Sequence, residues 1–126
     1  MKEKRNMLIL IDDSEETAKM AAGIADALKG KKIVIRTASE FRGNDILPAE
    51  AIFLGCEKPK PDTFAYLADV LKHMNLAGRS CGVFSPGSEK TVKYLAALVH
   101  DSEAALNPAP LSAGVNIKKW VQMVIA

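Results

Sequence analysis

The sequence predicts an α/β protein, a three-layer α/β/α sandwich around a parallel sheet. Two observations predict it. Four short apolar runs recur along the chain, at 7–11 (MLILI), 33–36 (IVIR), 51–55 (AIFLG) and 81–84 (CGVF). Runs that are apolar at nearly every position, rather than at alternate ones, suit strands buried on both faces. Helical patterns lie between most of these runs, and strand–helix repetition places the crossovers on both faces of an open parallel sheet.

The elements follow in order. After the first run, TAKMAAGIADALKG puts Ala18, Ala21, Ala22, Ala25 and Leu28 on one face with Ile24, and Gly30 stands where a helix stops. The second crossover, TASEFRGNDILPAE, is short and polar, so one helical turn or a loop is expected there. In PDTFAYLADVLKHMNLAG the stripe is Phe64, Leu67, Ala68, Leu71 and Met74, with Asp62 as N-cap and Gly78 after the end. In GSEKTVKYLAALV it is Val92, Leu95, Ala96 and Val99, with Ser88 as a cap. A last helix over 115–125 carries Ile117, Trp120, Val121 and Val124, and a fifth strand is expected from 104–107 (AALN). In such sheets ligands bind outside the carboxyl ends of the strands, near the point where strand order reverses. That directs attention to three loops, 12–17, 56–61 and 85–89.

Size and composition narrow the classes. At 126 residues the chain fits a single domain, 1–126, able to bury roughly two-thirds of its unfolded surface. Hydrophobic content of 48% and charged content of 25% are those of an ordinary soluble protein. A net charge of +2, with scattered basic residues, gives no nucleic-acid surface. No apolar run approaches the roughly 18 residues of a membrane span. The opening MKEKRN imitates a secretory n-region, but Asp12 and Asp13 cut the apolar stretch short. Cys56 and Cys81 match neither a disulfide framework nor a zinc spacing, so a cytoplasmic protein with free thiols is expected.

The stretch ILIDDSEET ends a strand in two aspartates. In that respect it resembles a response-regulator receiver domain, where such a pair holds Mg2+ beside a phosphorylatable aspartate. A receiver also needs an aspartate after the third strand and a lysine after the fifth. This chain reads Leu54-Gly55-Cys56 and Asn107-Pro108 there, which argues against phosphoryl transfer.

Over its whole length the chain resembles the flavodoxin-like family. The resemblance is carried by LILID–DSEET–AKMAAGIADAL, AIFLGCEKPKPDTFAYLADVL, LAGRSCGVFSPGSEKTVKYLAALV and IKKWVQMV. It implies a five-stranded parallel sheet in the order 2-1-3-4-5, and FMN as cofactor. The flavin phosphate would sit on the first loop, in a Ser/Thr-x-Thr-Gly-x-Thr pattern, cradled by hydroxyls and helix N–H groups. That pattern falls on Asp12, Asp13, Ser14, Glu15, Glu16 and Thr17. Ser14 and Thr17 keep hydroxyls, Asp12 replaces the first hydroxyl, and Glu15 replaces the glycine. The ring would lie against Cys56, Glu57 and Lys58 and against Ser85, Pro86 and Gly87. Neither of those loops carries an aromatic residue, and aromatics are only 6% of the chain.

Charge opposes the phosphate. A carboxylate about 6–8 Å from it costs roughly 2–3 kcal/mol at an effective dielectric near 20, while a helix N-terminus returns only about 0.3–1 kcal/mol. The expectation is therefore a small redox or electron-transfer module that binds FMN or another flavin weakly. The alternative is a flavin-free binding or protein-interaction domain on the same scaffold. Either would meet a protein partner, with no membrane or nucleic acid involved.

Each site residue also has a structural role open to it. Asp12 and Asp13 could hold a metal, or simply be solvated or cap the helix. Ser14 and Thr17 suit helix capping as well as phosphate. Cys56 offers a thiol that Lys58 could activate, or plain packing; Cys81 reads as packing. His73 and His100 sit near helix C-termini, and no catalytic constellation includes them. Lys58 and Lys60 read as a contact for an acidic partner or as a solvated loop. Trp120 reads as core.

Overall fold

The computed structural model describes residues 6–46, 48–77, 79–102, 104–106, 111–112 and 116–125. In chain order the elements are β1 (Asn6–Ile11), α1 (Glu15–Ala27), β2 (Lys32–Thr37), β3 (Ala49–Gly55), α2 (Ala65–His73), β4 (Ser80–Ser85), α3 (Glu89–Ser102), β5 (Ala105–Leu106), β6 (Leu111–Ser112) and α4 (Ile117–Ile125). The four apolar runs are the four full strands, each extended by one or two residues. The second crossover contains a single 3-10 turn, Gly43–Asp45.

The sheet is parallel, and its full strands run in the order β2-β1-β3-β4. The expected single fifth strand at 104–107 is instead two two-residue pairings on the free edge of β4. Ala105–Leu106 pairs with Ser80–Cys81 and Leu111–Ser112 with Phe84–Ser85. Neither short stretch has the continuous apolar run that made the other strands, and Asn107, the end of the expected strand, lies outside the described residues.

Strand alternation divides the core. Leu8 and Leu10 of β1 face one way with Ile52, Leu54 and Val83, against Leu67 and Leu71 of α2 and Leu95 and Val99 of α3. Phe41 and Ile46, from the helix-poor crossover, fill the same side. Met7, Ile9 and Ile11 face the other way, against Ala21, Ile24 and Leu28 of α1 and Trp120, Val121 and Val124 of α4. Every residue from Met7 to Ile11 is at most 5% exposed, so at about 2 kcal/mol per buried large apolar side chain β1 is the spine of the fold. Trp120 is core, as expected: it lies over Gly82, where a Cβ would come within 2.8 Å of its ring.

Two local expectations are corrected. Ala18 and Ala22 are exposed, so the buried face of α1 is narrower than the alanine pattern implied. Asp62 does not cap α2, because Asp62–Phe64 forms a 3-10 turn and the helix begins at Ala65 behind Phe64. The expected stop at Gly78 lies outside the described residues.

The register sets up the site. Ile11 pairs with Gly55, and Gly55 with Phe84. Three strands therefore end at one level, and the segments after them emerge side by side where the order reverses between β1 and β3.

Candidate functional site

The first loop is built around a buried carboxylate. Asp12 is 7% exposed. Its Oδ1 accepts from the Ser14 N–H (3.3 Å), and its Oδ2 accepts from the Glu57 N–H (2.9 Å), 45 residues away. Ser14 is the N-cap of α1: its backbone is extended and its Oγ accepts from the Thr17 N–H at 3.4 Å. Asp13, Glu15 and Glu16 are exposed, and Glu16 pairs with Lys19 at 3.3 Å. First-turn glutamates suit the helix dipole. Thr17 is fully buried, and its hydroxyl has no hydrogen-bond partner among the described residues.

The second and third loops meet at one residue, Glu57. The Glu57 N–H is held by Asp12, and the Glu57 carbonyl accepts from the Thr91 hydroxyl at 3.1 Å. Gly87 packs against that same carbonyl so closely that a Cβ on residue 87 would overlap it. The Gly87 N–H is engaged in turn, donating to the buried Ser85 Oγ at 2.9 Å. Pro86 is half-buried between them. Thr91 is the residue that sequence reasoning missed. Its signal was available: Ser88-Glu89-Lys90-Thr91 repeats the pattern of Ser14-Glu15-Glu16-Thr17 at the start of another helix.

Cys56 is not an activated thiol. It is fully buried, and its Sγ donates to the Lys58 backbone carbonyl at 3.2 Å. Burial first, and the Asp12 carboxylate second, push its pKa up to about 12. Cys81, wholly enclosed in β4, is pushed up to about 12 by burial alone. His73 is exposed and sits beside the Asp69 backbone and carboxylate, away from these loops. Among the described residues, no three His, Cys, Asp or Glu side chains gather as a metal site would require, and no helix is long and apolar enough to cross a membrane.

Beside this closed centre lies an open groove of about 570 Å3, from Asp12–Ser14 on one side to Glu57–Thr63 on the other. Lys58 and Lys60 are exposed on its rim with Asp13 and Asp62. Lys60 has φ of 50°, a left-handed conformation uncommon outside glycine.

No family model matches the chain, and no curated protein matches it. Solved structures do. A short-chain flavodoxin associated with a non-canonical PDU bacterial microcompartment has a TM-score of 0.83 at 13% identity, over 96% of this chain and 97% of that one. Oxidised flavodoxin 1 from Bacillus cereus has a TM-score of 0.76 at 20% identity, over 93% and 92%. Fusobacterium nucleatum flavodoxin bound to flavin mononucleotide has a TM-score of 0.74 at 11% identity, over 94% and 95%. The chain has the flavodoxin fold.

Two features of these loops stand against a flavodoxin-type FMN site. Where the implied phosphate pattern begins with a hydroxyl, Asp12 supplies a buried negative charge, and the N–H groups of Ser14 and Glu57 already bond to it. On the ring side, the loop after β3 and the loop after β4 are in direct contact through Glu57 and Gly87.

Proposed function

We propose that this protein is a flavin-free flavodoxin-fold domain that acts by protein contact at the carboxyl end of its sheet. One observation carries the reading: all three loops converge on the backbone of Glu57, whose N–H and C=O are both taken by the protein's own groups. A flavin ring between those loops would have to break these bonds, each of which contributes roughly 1 kcal/mol or more. The exposed Lys58, Lys60, Asp13 and Asp62 then form a polar rim suited to a protein partner.

A second reading is a small electron-transfer module that holds FMN or another flavin weakly. The unpartnered Thr17 hydroxyl at the start of α1 favours it, since it stands at a hydroxyl position of the phosphate pattern. In that case the flavin supplies the redox chemistry and the protein supplies shape and charge.

Titration of the purified protein with FMN and with riboflavin, followed by flavin fluorescence, separates the two. Neither flavin is expected to bind up to about 1 mM, where binding free energy is only about −4 kcal/mol. Micromolar FMN binding would overturn the flavin-free reading. Riboflavin binding tighter than FMN would overturn it too, and would mean a ring site without a phosphate site.

A further inference from the structure

We infer that Asp12 is an internal substitute for an oxyanion ligand, and that its carboxylate is what bars a free phosphate from the start of α1. The inference deepens the flavin-free reading and rests on it for the wild-type behaviour. Three features of the loop support it. The carboxylate is buried rather than solvated, although no cationic group among the described residues is bonded to it. It is bonded to two backbone N–H groups from separate loops, an arrangement that suits an anion. It also lies at the amino end of α1, where an anion is favoured by the helix dipole. A carboxylate tethered to the chain is always present, so a mobile phosphate would have to displace it and then face its charge.

The Thr17 hydroxyl identifies what the substitute leaves undone. Asp12 accepts from two N–H groups, but the buried Thr17 hydroxyl, in the first turn of α1, has no hydrogen-bond partner among the described residues. A carboxylate has two oxygens, and both are in use; a phosphate has more. Asp12 is thus a positioning residue: it ties loop to loop and excludes the anion whose place it takes.

The test uses inorganic phosphate as the probe, at constant ionic strength with chloride as the balancing salt. Wild type, Asp12→Ser and Asp12→Ser/Thr17→Val are compared by thermal unfolding and by calorimetric titration. Non-specific stabilisation by phosphate acts on all three, so the difference from wild type is the readout. Asp12→Ser is expected to melt lower than wild type in chloride, to recover part of that loss in phosphate, and to bind phosphate at least about tenfold more tightly than wild type. The double variant should lose most of that gain. Equal phosphate response in wild type and Asp12→Ser overturns the inference. If Asp12→Ser does not fold in chloride, Asp12→Asn is used. It removes the charge and keeps an acceptor for Glu57, and a phosphate response no greater than wild type's counts equally against the proposal. FMN binding by the wild type would sink the functional reading instead, so the two failures are distinguishable.

Discussion

Two helices begin at the same end of the sheet with nearly the same four residues, and they end up in different situations. Ser14-Glu15-Glu16-Thr17 opens α1 and Ser88-Glu89-Lys90-Thr91 opens α3. Each threonine is the third residue of its helix and fully buried. Thr91 donates to the Glu57 carbonyl, while Thr17 has no partner for its hydroxyl. The difference lies in what faces each helix start. The loop after β3 comes to α3 with a free carbonyl. On the other side its Glu57 N–H is bonded to Asp12, in the loop that leads into α1. A local sequence therefore sets a cap, but the neighbouring loop decides whether its buried hydroxyl is satisfied.

The comparison can be broken at the α3 side with the largest effect. Gly87→Ala forces a methyl against the Glu57 carbonyl, a backbone group that cannot swing aside. Urea unfolding should show a loss of about 3 kcal/mol, the upper end of ordinary overpacking costs. A loss below about 0.5 kcal/mol would mean the two loops are not packed as described. Thr91→Val keeps the shape and removes the donor, leaving the Glu57 carbonyl without its partner; a loss of about 1.5 kcal/mol is expected.

The matching change on the other helix should differ in sign. Thr17→Val removes a buried hydroxyl that bonds to nothing, so stability should stay level or rise by up to about 1 kcal/mol. If it falls as far as in Thr91→Val, the two threonines are equivalent and the comparison fails. The smallest response is expected from Cys56. With its pKa raised from 9.0 to about 12 it stays protonated at pH 8, so iodoacetamide should leave it unmodified in the native protein and label it once urea unfolds the chain. Stability linked to this thiol is complete below the unfolded pKa near 9 and is lost as pH rises toward 12.

Much of this was legible in the sequence because it depends on local pattern. The runs at 7–11, 51–55 and 81–84 are strands buried on both faces, and their carboxyl ends place the three loops. The run at 33–36 reads the same in sequence but forms the edge strand β2, where no residue is fully buried and Ile35 is exposed. Alanine misled the reading of α1, since a methyl side chain is nearly indifferent to burial and Ala18 and Ala22 lie exposed. Asp62 misled the reading of α2 because an N-cap preference cannot show that a 3-10 turn comes first. The edge of β4 was blurred, since two-residue pairings leave no periodic trace.

The centre of the site was illegible for a different reason. Its main participant is the Glu57 backbone, and a peptide group has no sequence signature. That Asp12 spans 45 residues to reach it is fixed by strand register, not by anything near Asp12. Ser14 and Thr17 were recognised as cap or ligand, and capping is the role of the Ser14 side chain.

The shared backbone of Glu57 has a dynamic consequence. Separate loops would fluctuate independently, each exposing its own amides to solvent on its own timescale. Here the loop after β1 is bonded to the Glu57 N–H and the first turn of α3 to its carbonyl, so the loop after β3 cannot swing outward without releasing both. They form one opening unit. In hydrogen–deuterium exchange, the Glu57 amide should exchange with the same opening free energy as the amides of Ser14 and Gly87, and any partner that docks at this end should slow all three together.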